Sequence, residues 1–243
     1  MQFQAGTRVR TFFAPILAGA SFGDRLAACG GAAVGIALTA VASAVVVGDT
    51  SAWLLLVAPM GASAVLIFVV PASPLAQPWS VIGGNIVSAL VGVAVAAVVP
   101  SVALASGLAV GGAILAMSLL RCLHPPGGAA ALTAVIGGPA VAAAGWMFPI
   151  LPVGVNAVIL TAAGLLFHRM SRHSYPHRTA VTAAPPFVAG DDPVPHPEDL
   201  DAALADLGET FDIAREDLDQ LFERVRVHAA LRRSTGEDPT AKS

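Results

Sequence analysis

Apolar residues run along this chain in blocks too long for the core of a soluble domain. From residue 26 to residue 120 the only charged side chain is Asp49. A helix that crosses a bilayer needs about 20 mostly apolar residues. Blocks that qualify are 25–47, 52–70, 79–99, 101–121, 126–144 and 146–169. The fifth is the weakest, because Gly137-Gly138-Pro139 ends its helix after roughly a dozen residues, about 18 Å. It reads as a half-span or re-entrant segment. The pattern changes near residue 172. "HSYPHRTAVTAAPPFVAGDDPVPHP" is polar, rich in proline and without period, and reads as a linker. After it, Leu200, Leu204 and Leu207 form one short helical stripe, and Leu218, Leu221, Phe222 and Val225 another. Asp212 is placed to cap the second of these helices. The expected organisation is a lead-in (1–22), a transmembrane domain (23–172), a Pro-rich linker (173–197) and an acidic helical tail (198–243). The fold class is an all-α membrane protein of about six transmembrane segments with a small cytoplasmic helical tail.

Composition agrees. Hydrophobic residues make up 56% of the 243, mean hydropathy is +0.74, and charged residues are 12%. That is about half the charged share of a soluble protein, whose surface must be largely polar at this size. The N-terminus is no secretory signal, since its apolar run is short and stops at Gly23-Asp24-Arg25. Arg8, Arg10 and Arg25 precede the first span, and Arg169, Arg172 and Arg178 follow the last. The positive-inside rule then places both termini in the cytoplasm of a multi-pass protein in the cell's inner membrane, which requires an even number of crossings. Arg121 falls on the same side. Of sixteen Asp and Glu residues, fourteen lie beyond residue 190, so the net charge of −3 belongs to the tail. No basic patch for nucleic acid is visible. Cys29 and Cys122 have no disulfide or metal spacing and read as small buried hydrophobes. His168, His173, His177, His196 and His228 read as surface residues.

A weak internal repeat links the polar interruptions. Residues 59–66 read "PMGASAVL" and residues 125–132 read "PPGGAAAL". Downstream, Asn85 and Asn156 each sit early in a span. The first and fourth spans share small-residue pairs, Gly31/Gly35 and Gly107/Gly111, which let helices approach closely. Two units of three spans run in opposite directions, the inverted-repeat plan of many secondary transporters. Proline suits the first turn of a helix, and Pro125 pushes His124 towards an extended conformation. A helix should therefore start at Pro126 within or beside the membrane. The N–H groups of Gly127, Gly128 and Ala129 would then lack helical acceptors, and such a start attracts anions. Pro59-Met60-Gly61-Ala62-Ser63 offers a second start.

"HPPGGAAAL", with "APMGASAVLIF" and "GGNIVSALVG" before it, resembles the HPP family of integral membrane proteins over residues 20–170. The resemblance implies a multi-span membrane protein, with nitrite transport as the function assigned to some members. The charge inventory points to an anion independently. Between Asp49 and Asp191 there is no Asp or Glu, whereas cation-coupled carriers keep carboxylates inside the membrane. The expected substrate site comprises Arg121, His124, Pro125, Pro126, Gly127 and Gly128, facing Pro59, Gly61 and Ser63, with Asn85 and Asn156 donating amide hydrogen bonds. His124 would line the way in and carry a coupling proton. The bland alternatives are a snorkelling Arg121, a structural His124 cap and asparagines that only join helices. No enzyme is expected: no serine sits in a nucleophile-elbow setting, and no metal or cofactor ligand set exists. The expected partners are a small anion such as nitrite and the lipid bilayer, with self-association open. The competing class is a membrane scaffold or regulatory protein acting through its acidic helical tail.

Overall fold

The computed structural model describes residues 22–47, 56–171, 174–177, 197–207, 218–225 and 227. Residues 1–21 of the lead-in, most of the linker, His173, His196, His228 and Asp212 lie outside these described residues. The chain divides into two compact units, Ser21–Thr179 and a second one of Met1–Ala20 with Ala180–Ser243. In the second unit the described residues form α8 (Pro197–Leu207), in which Leu204 is buried, and a helical stretch at 218–225.

The first unit is built from α1 (Phe22–Val47), α2 (Pro59–Val69), α3 (Pro78–Val98), α4 (Val102–Leu119), α5 (Pro126–Ile136), α6 (Gly138–Ala144) and α7 (Val155–Ser171). A one-turn 3₁₀ helix, Pro74–Ala76, precedes α3, and a wide π-helical stretch, Pro149–Gly154, leads into α7. Proline occupies the first turn of α2, α3 and α5, where its missing N–H costs nothing. No strand occurs among the described residues. Among the described residues four helices are long and apolar enough to cross a membrane: Phe22–Val45, Pro78–Val98, Val102–Leu119 and Pro149–Ser171. A fifth crossing arises only if α5 and the helix after it count as one span, and the two are bent by 95°. The expected span at 52–70 contributes the eleven-residue α2, a half-length helix.

Contacts at the helix ends fix the directions. The Trp79 indole, at the start of α3, donates to the Leu120 carbonyl at the end of α4 (3.2 Å), and the Tyr175 hydroxyl, just past α7, donates to the Ala76 carbonyl (2.9 Å). These ends define a near face, from which α3 departs and to which α4 and α7 return. The first half of α1 lies there too, because Gly31 receives the rings of Phe68 and Phe167, from the ends of α2 and α7, and Gly35 receives Phe68. Helix α2 runs parallel to α7: the Val57 N–H before it reaches Asn156 in α7's first turn (2.9 Å), and Ile67 near its end accepts from His168 (2.8 Å). Helix α5 runs parallel to α3, with Gly127 against Gly84 and Ser88, and Gly92 further along against Ala131 and Ala134.

Thus α1, α2 and α3 run away, back and away, while α4, α5 and α7 run back, away and back. Packing follows the same inversion: α1 packs on α7 as α4 packs on α3, and α1 packs on α2 as α4 packs on α5. Within Ser21–Thr179, the helix sets α1–α2–α3 and α4–α5–α7 are thus inverted repeats. Their register differs by one residue from the sequence alignment. Helices α2 and α5 both have eleven residues and start at Pro59 and Pro126. Ala58 and Pro125 are exposed, Pro59 and Pro126 buried, and Ser63 and Ala130 buried. Pro59 therefore corresponds to Pro126, not Pro125.

Three other expectations change. His168 is buried, since its Nε2–H serves the Ile67 carbonyl and its ring lies 5.0 Å from Phe167 and 5.4 Å from Tyr175, centroid to centroid. Cys122 is buried as expected, but Cys29 lies on the exposed face of α1. Gly31/Gly35 cradle aromatic rings, whereas among the described residues a Cβ added at Gly107 or Gly111 would meet no other helix within 4 Å. The membrane unit also continues beyond residue 172, because Tyr175 and the His177 N–H (to Gln77 Oε1, 2.8 Å) tie residues 174–177 to the turn before α3.

Candidate functional site

The half-length helices begin inside the bundle. Asn85 lies seven residues past Pro78 and Ser88 ten, which is about 10 and 15 Å along the α3 axis. The whole of α3 is 21 residues, about 31 Å. Gly127, in the first turn of α5, faces Ser88, so α5 starts near half depth and runs to the far face. Ser63, in the second turn of α2, faces Asn85 and His124, so α2 also starts near half depth and runs to the near face. Two helix N-termini of opposite direction thus meet in the middle of the unit. Each brings the partial positive charge of its dipole, roughly half a unit charge.

A hydrogen-bonded cluster fills the meeting point. His124 is wholly buried, with Nδ1 2.8 Å from the Leu75 carbonyl and Nε2 2.8 Å from Ser63 Oγ. A carbonyl only accepts, so Nδ1 carries hydrogen. In the neutral ring Nε2 then accepts from the Ser63 hydroxyl. In the imidazolium, Nε2–H donates to Ser63, whose own hydrogen turns to the Pro59 carbonyl, 3.1 Å away. Both charge states keep the two bonds of the ring, and the bond from Ser63 to Pro59 O forms only in the imidazolium. The Asn85 amide nitrogen donates to Val81 O (2.8 Å) and to Ser63 Oγ (3.4 Å), which uses both of its hydrogens. Exchanging its nitrogen and oxygen would set one carbonyl against another at Val81, so the orientation is settled by chemistry. Asn85 Oδ1 and Ser88 Oγ are buried and have no hydrogen-bond partner in the structure. Asn85 and Ser88 are three residues apart and share one face of α3.

Close backbone approach shapes the cluster. A Cβ at Gly84 would stand 2.6 Å from His124 Cβ and 2.7 Å from Cys122 O, and one at Gly127 would stand 2.6 Å from Ser88 Oγ. These two glycines let the 121–125 segment and the α5 start press against α3.

Of the expected site residues, the fold gathers Pro59, Ser63, Asn85, His124, Pro126 and Gly127. It leaves out the rest. Arg121 is exposed at the end of α4 with a positive φ of 53°. Pro125 and Gly61 are exposed, and Gly128 is only half-buried. Asn156 serves another place: its Oδ1 accepts from Val57 N–H, and its Nδ2 donates to Ser43 Oγ at 2.8 Å. The expected bare donors are largely paired, since Gly127 N–H reaches His124 O (2.8 Å) and Gly128 N–H reaches Pro125 O (3.0 Å). Met60 and Gly61 make the same turn at the other start, to Val57 O and Ala58 O. His124 lines no way in, being buried on all sides. Ser88, Gly84 and the Leu75 carbonyl were missed. The i, i+3 pairing of Asn85 with Ser88 was the signal for the first; a carbonyl leaves none. Among the described residues no three His, Cys, Asp or Glu side chains gather as a metal site.

Comparison with known proteins covers the same region. The family model for the HPP transmembrane region matches residues 18–176. Two transmembrane proteins of Dictyostelium discoideum are 40% and 37% identical to this chain over 126 residues, half of its length. The matches span 44% and 40% of those relatives, so the chain accounts for less than half of either. No solved structure matches this chain.

Proposed function

The chain belongs to the HPP transmembrane family, and we propose that it transports a small anion, nitrite foremost, across a cell membrane. The observation that carries this reading is the convergence of two half-length helix starts, from inverted repeats, on one buried polar cluster. Discontinuous helices that meet near the bilayer midplane are where secondary transporters of inverted-repeat design hold solute, and helix N-termini favour anionic groups. The side-chain inventory agrees: no Asp or Glu lies between Asp49 and Asp191 to hold a cation. In this reading the near face, which carries the ends of α4 and α7 with Arg121 and Arg169, is the cytoplasmic side of the inner membrane. His124 and Ser63 join the two starts. The bond set that tolerates both charge states of the ring supports a role for His124 in passing a proton.

Purified protein in liposomes, with and without residues 180–243, provides the test. Flux of nitrite, nitrate, formate and chloride is compared with protein-free vesicles. Protein-dependent flux that survives tail removal supports transport, and no flux of any of these ions refutes it. The scaffold reading rests on a different feature. Leu221, Phe222 and Val225 are exposed along one helical stretch of the tail, which suits self-association or a partner helix. A scaffold predicts no flux and a change of oligomeric state when the tail is removed.

A further inference from the structure

The atoms left without partners say which form of the solute fits. Asn85 has spent both amide hydrogens, and what it presents is a carbonyl oxygen, which only accepts. A bare anion brought against that oxygen would be repelled. Ser88 presents a hydroxyl that can donate and accept, beside the first turn of α5. Among the described residues no Lys or Arg reaches the cluster: between Arg25 and Arg121 the sequence has neither, and Arg121 is exposed. With His124 neutral, a full negative charge at half depth would therefore be held by helix dipoles alone, against a large desolvation cost.

We propose that the site formed by Asn85 Oδ1, Ser88 Oγ and the start of α5 takes a small oxyacid in its neutral, protonated form. The acid's O–H donates to Asn85 Oδ1, and its remaining oxygen accepts from the Ser88 hydroxyl. Nitrous and formic acids meet both demands. Nitrate and chloride, the anions of strong acids, have no protonated form to offer and meet only one. The ligand carries its own proton from the side it leaves and releases it on the side it reaches, so one anion and one proton cross together and no net charge moves. This rests on the transport reading above and names its substrate class and stoichiometry.

The test uses the full chain in liposomes, with a membrane potential imposed by a potassium gradient and valinomycin. Protein-dependent uptake is measured for nitrite, formate, nitrate and chloride between pH 6 and 8, after subtraction of protein-free vesicles. The expected result is uptake of nitrite and formate that rises about tenfold for each unit fall in pH, following the protonated fraction. That uptake ignores the imposed potential, and nitrate and chloride are not carried. Asn85→Leu, which removes the acceptor, should lower nitrite uptake at least tenfold. Its folding is checked by gel filtration. If it misfolds, Ser88→Ala replaces it with the same expectation. Uptake of nitrate or chloride that follows the potential overturns the inference and leaves anion transport standing. Nitrite uptake that is flat across this pH range does the same. No protein-dependent uptake of any of the four overturns both.

Discussion

Gly127 and Gly128 are neighbours in one motif, yet a methyl group at the two positions should have opposite effects. At Gly127 the added carbon would lie 2.6 Å from Ser88 Oγ and 2.9 Å from both Gly84 O and Met117 Sδ. The serine can rotate and the thioether can bend away, but the Gly84 carbonyl belongs to the α3 backbone. Restoring ordinary contact means parting α3 from α5 by about 0.5 Å, and overpacking of this kind costs about 1–3 kcal/mol. Against it stands a gain of about 0.5–1 kcal/mol from replacing a helical glycine with alanine. The net for Gly127→Ala is a loss of up to about 2.5 kcal/mol, centred on about 1 kcal/mol. At Gly128 the new carbon meets only Val110 Cγ1, at 3.9 Å, so the gain of about 0.5–1 kcal/mol stands alone. For a chain of this size 1 kcal/mol moves the melting temperature by about 2–4 °C. Purified variants, unfolded in detergent and followed by tryptophan fluorescence, should therefore show Gly127→Ala several degrees below the parent and Gly128→Ala at or slightly above it. A Gly127→Ala protein as stable as the parent would mean that α3 and α5 do not approach as described. Gly128→Ala falling below Gly127→Ala would refute the register of α5.

Asn156→Leu should lower the melting temperature more than Ser43→Ala, because it strands the buried Val57 N–H as well as the Ser43 hydroxyl, at a cost of about 1–3 kcal/mol. Tyr175→Phe removes the bond to Ala76 O, worth about 1 kcal/mol; hydrogen exchange should then quicken at residues 73–77 and stay unchanged in α4. Burial holds the Tyr175 phenol above its ordinary range, so in the parent this bond should persist to alkaline pH, and the exchange of 73–77 should show no added step as free tyrosines ionise. A single cysteine placed at residue 180 should react with a membrane-impermeant maleimide in inverted vesicles and not in intact cells; the reverse pattern would invert the orientation taken from the arginines.

Much of this architecture is legible in the sequence because the bilayer imposes length and composition on each helix. The runs that became α1, α3 and α4 are continuous, and their limits moved by only a few residues. Proline-glycine punctuation marked the starts of α2 and α5, since a helix that begins at Pro-x-Gly announces its own first turn. The length of α2 was not legible: the apolar run continues backwards through Val57 and Leu56, which lie outside the helix, and hydropathy cannot mark where a helix begins. Burial of His168 was likewise hidden. The residue stands at the end of a span beside Arg169, where histidines commonly face water, and only the course of α2 brings the Ile67 carbonyl to it. Asn85 and Asn156 looked equivalent because each opens a span, but a side chain's partners depend on what lies across from it.

That last difference carries the functional argument. In the corrected register His124 takes the place in the second repeat that Val57 takes in the first. In one repeat, Asn156 turns its oxygen to the Val57 N–H and its nitrogen to Ser43, so both ends of its amide are paired. On the other, His124 and Val81 draw Ser63 and the Asn85 nitrogen away, and the Asn85 oxygen is left to the interior with the Ser88 hydroxyl. Two neighbouring side chains of α3 are thus left with unpaired polar atoms beside the helix starts, where the Asn156 amide is paired. Unpaired buried acceptors cost about 1–3 kcal/mol each, and a fold that needed only rigidity could have repeated the Asn156 arrangement in both halves. Retaining the unpaired pair at the one place where two helix starts converge is the physical ground for placing the solute at Asn85 and Ser88, and for treating Asn156 as part of the frame.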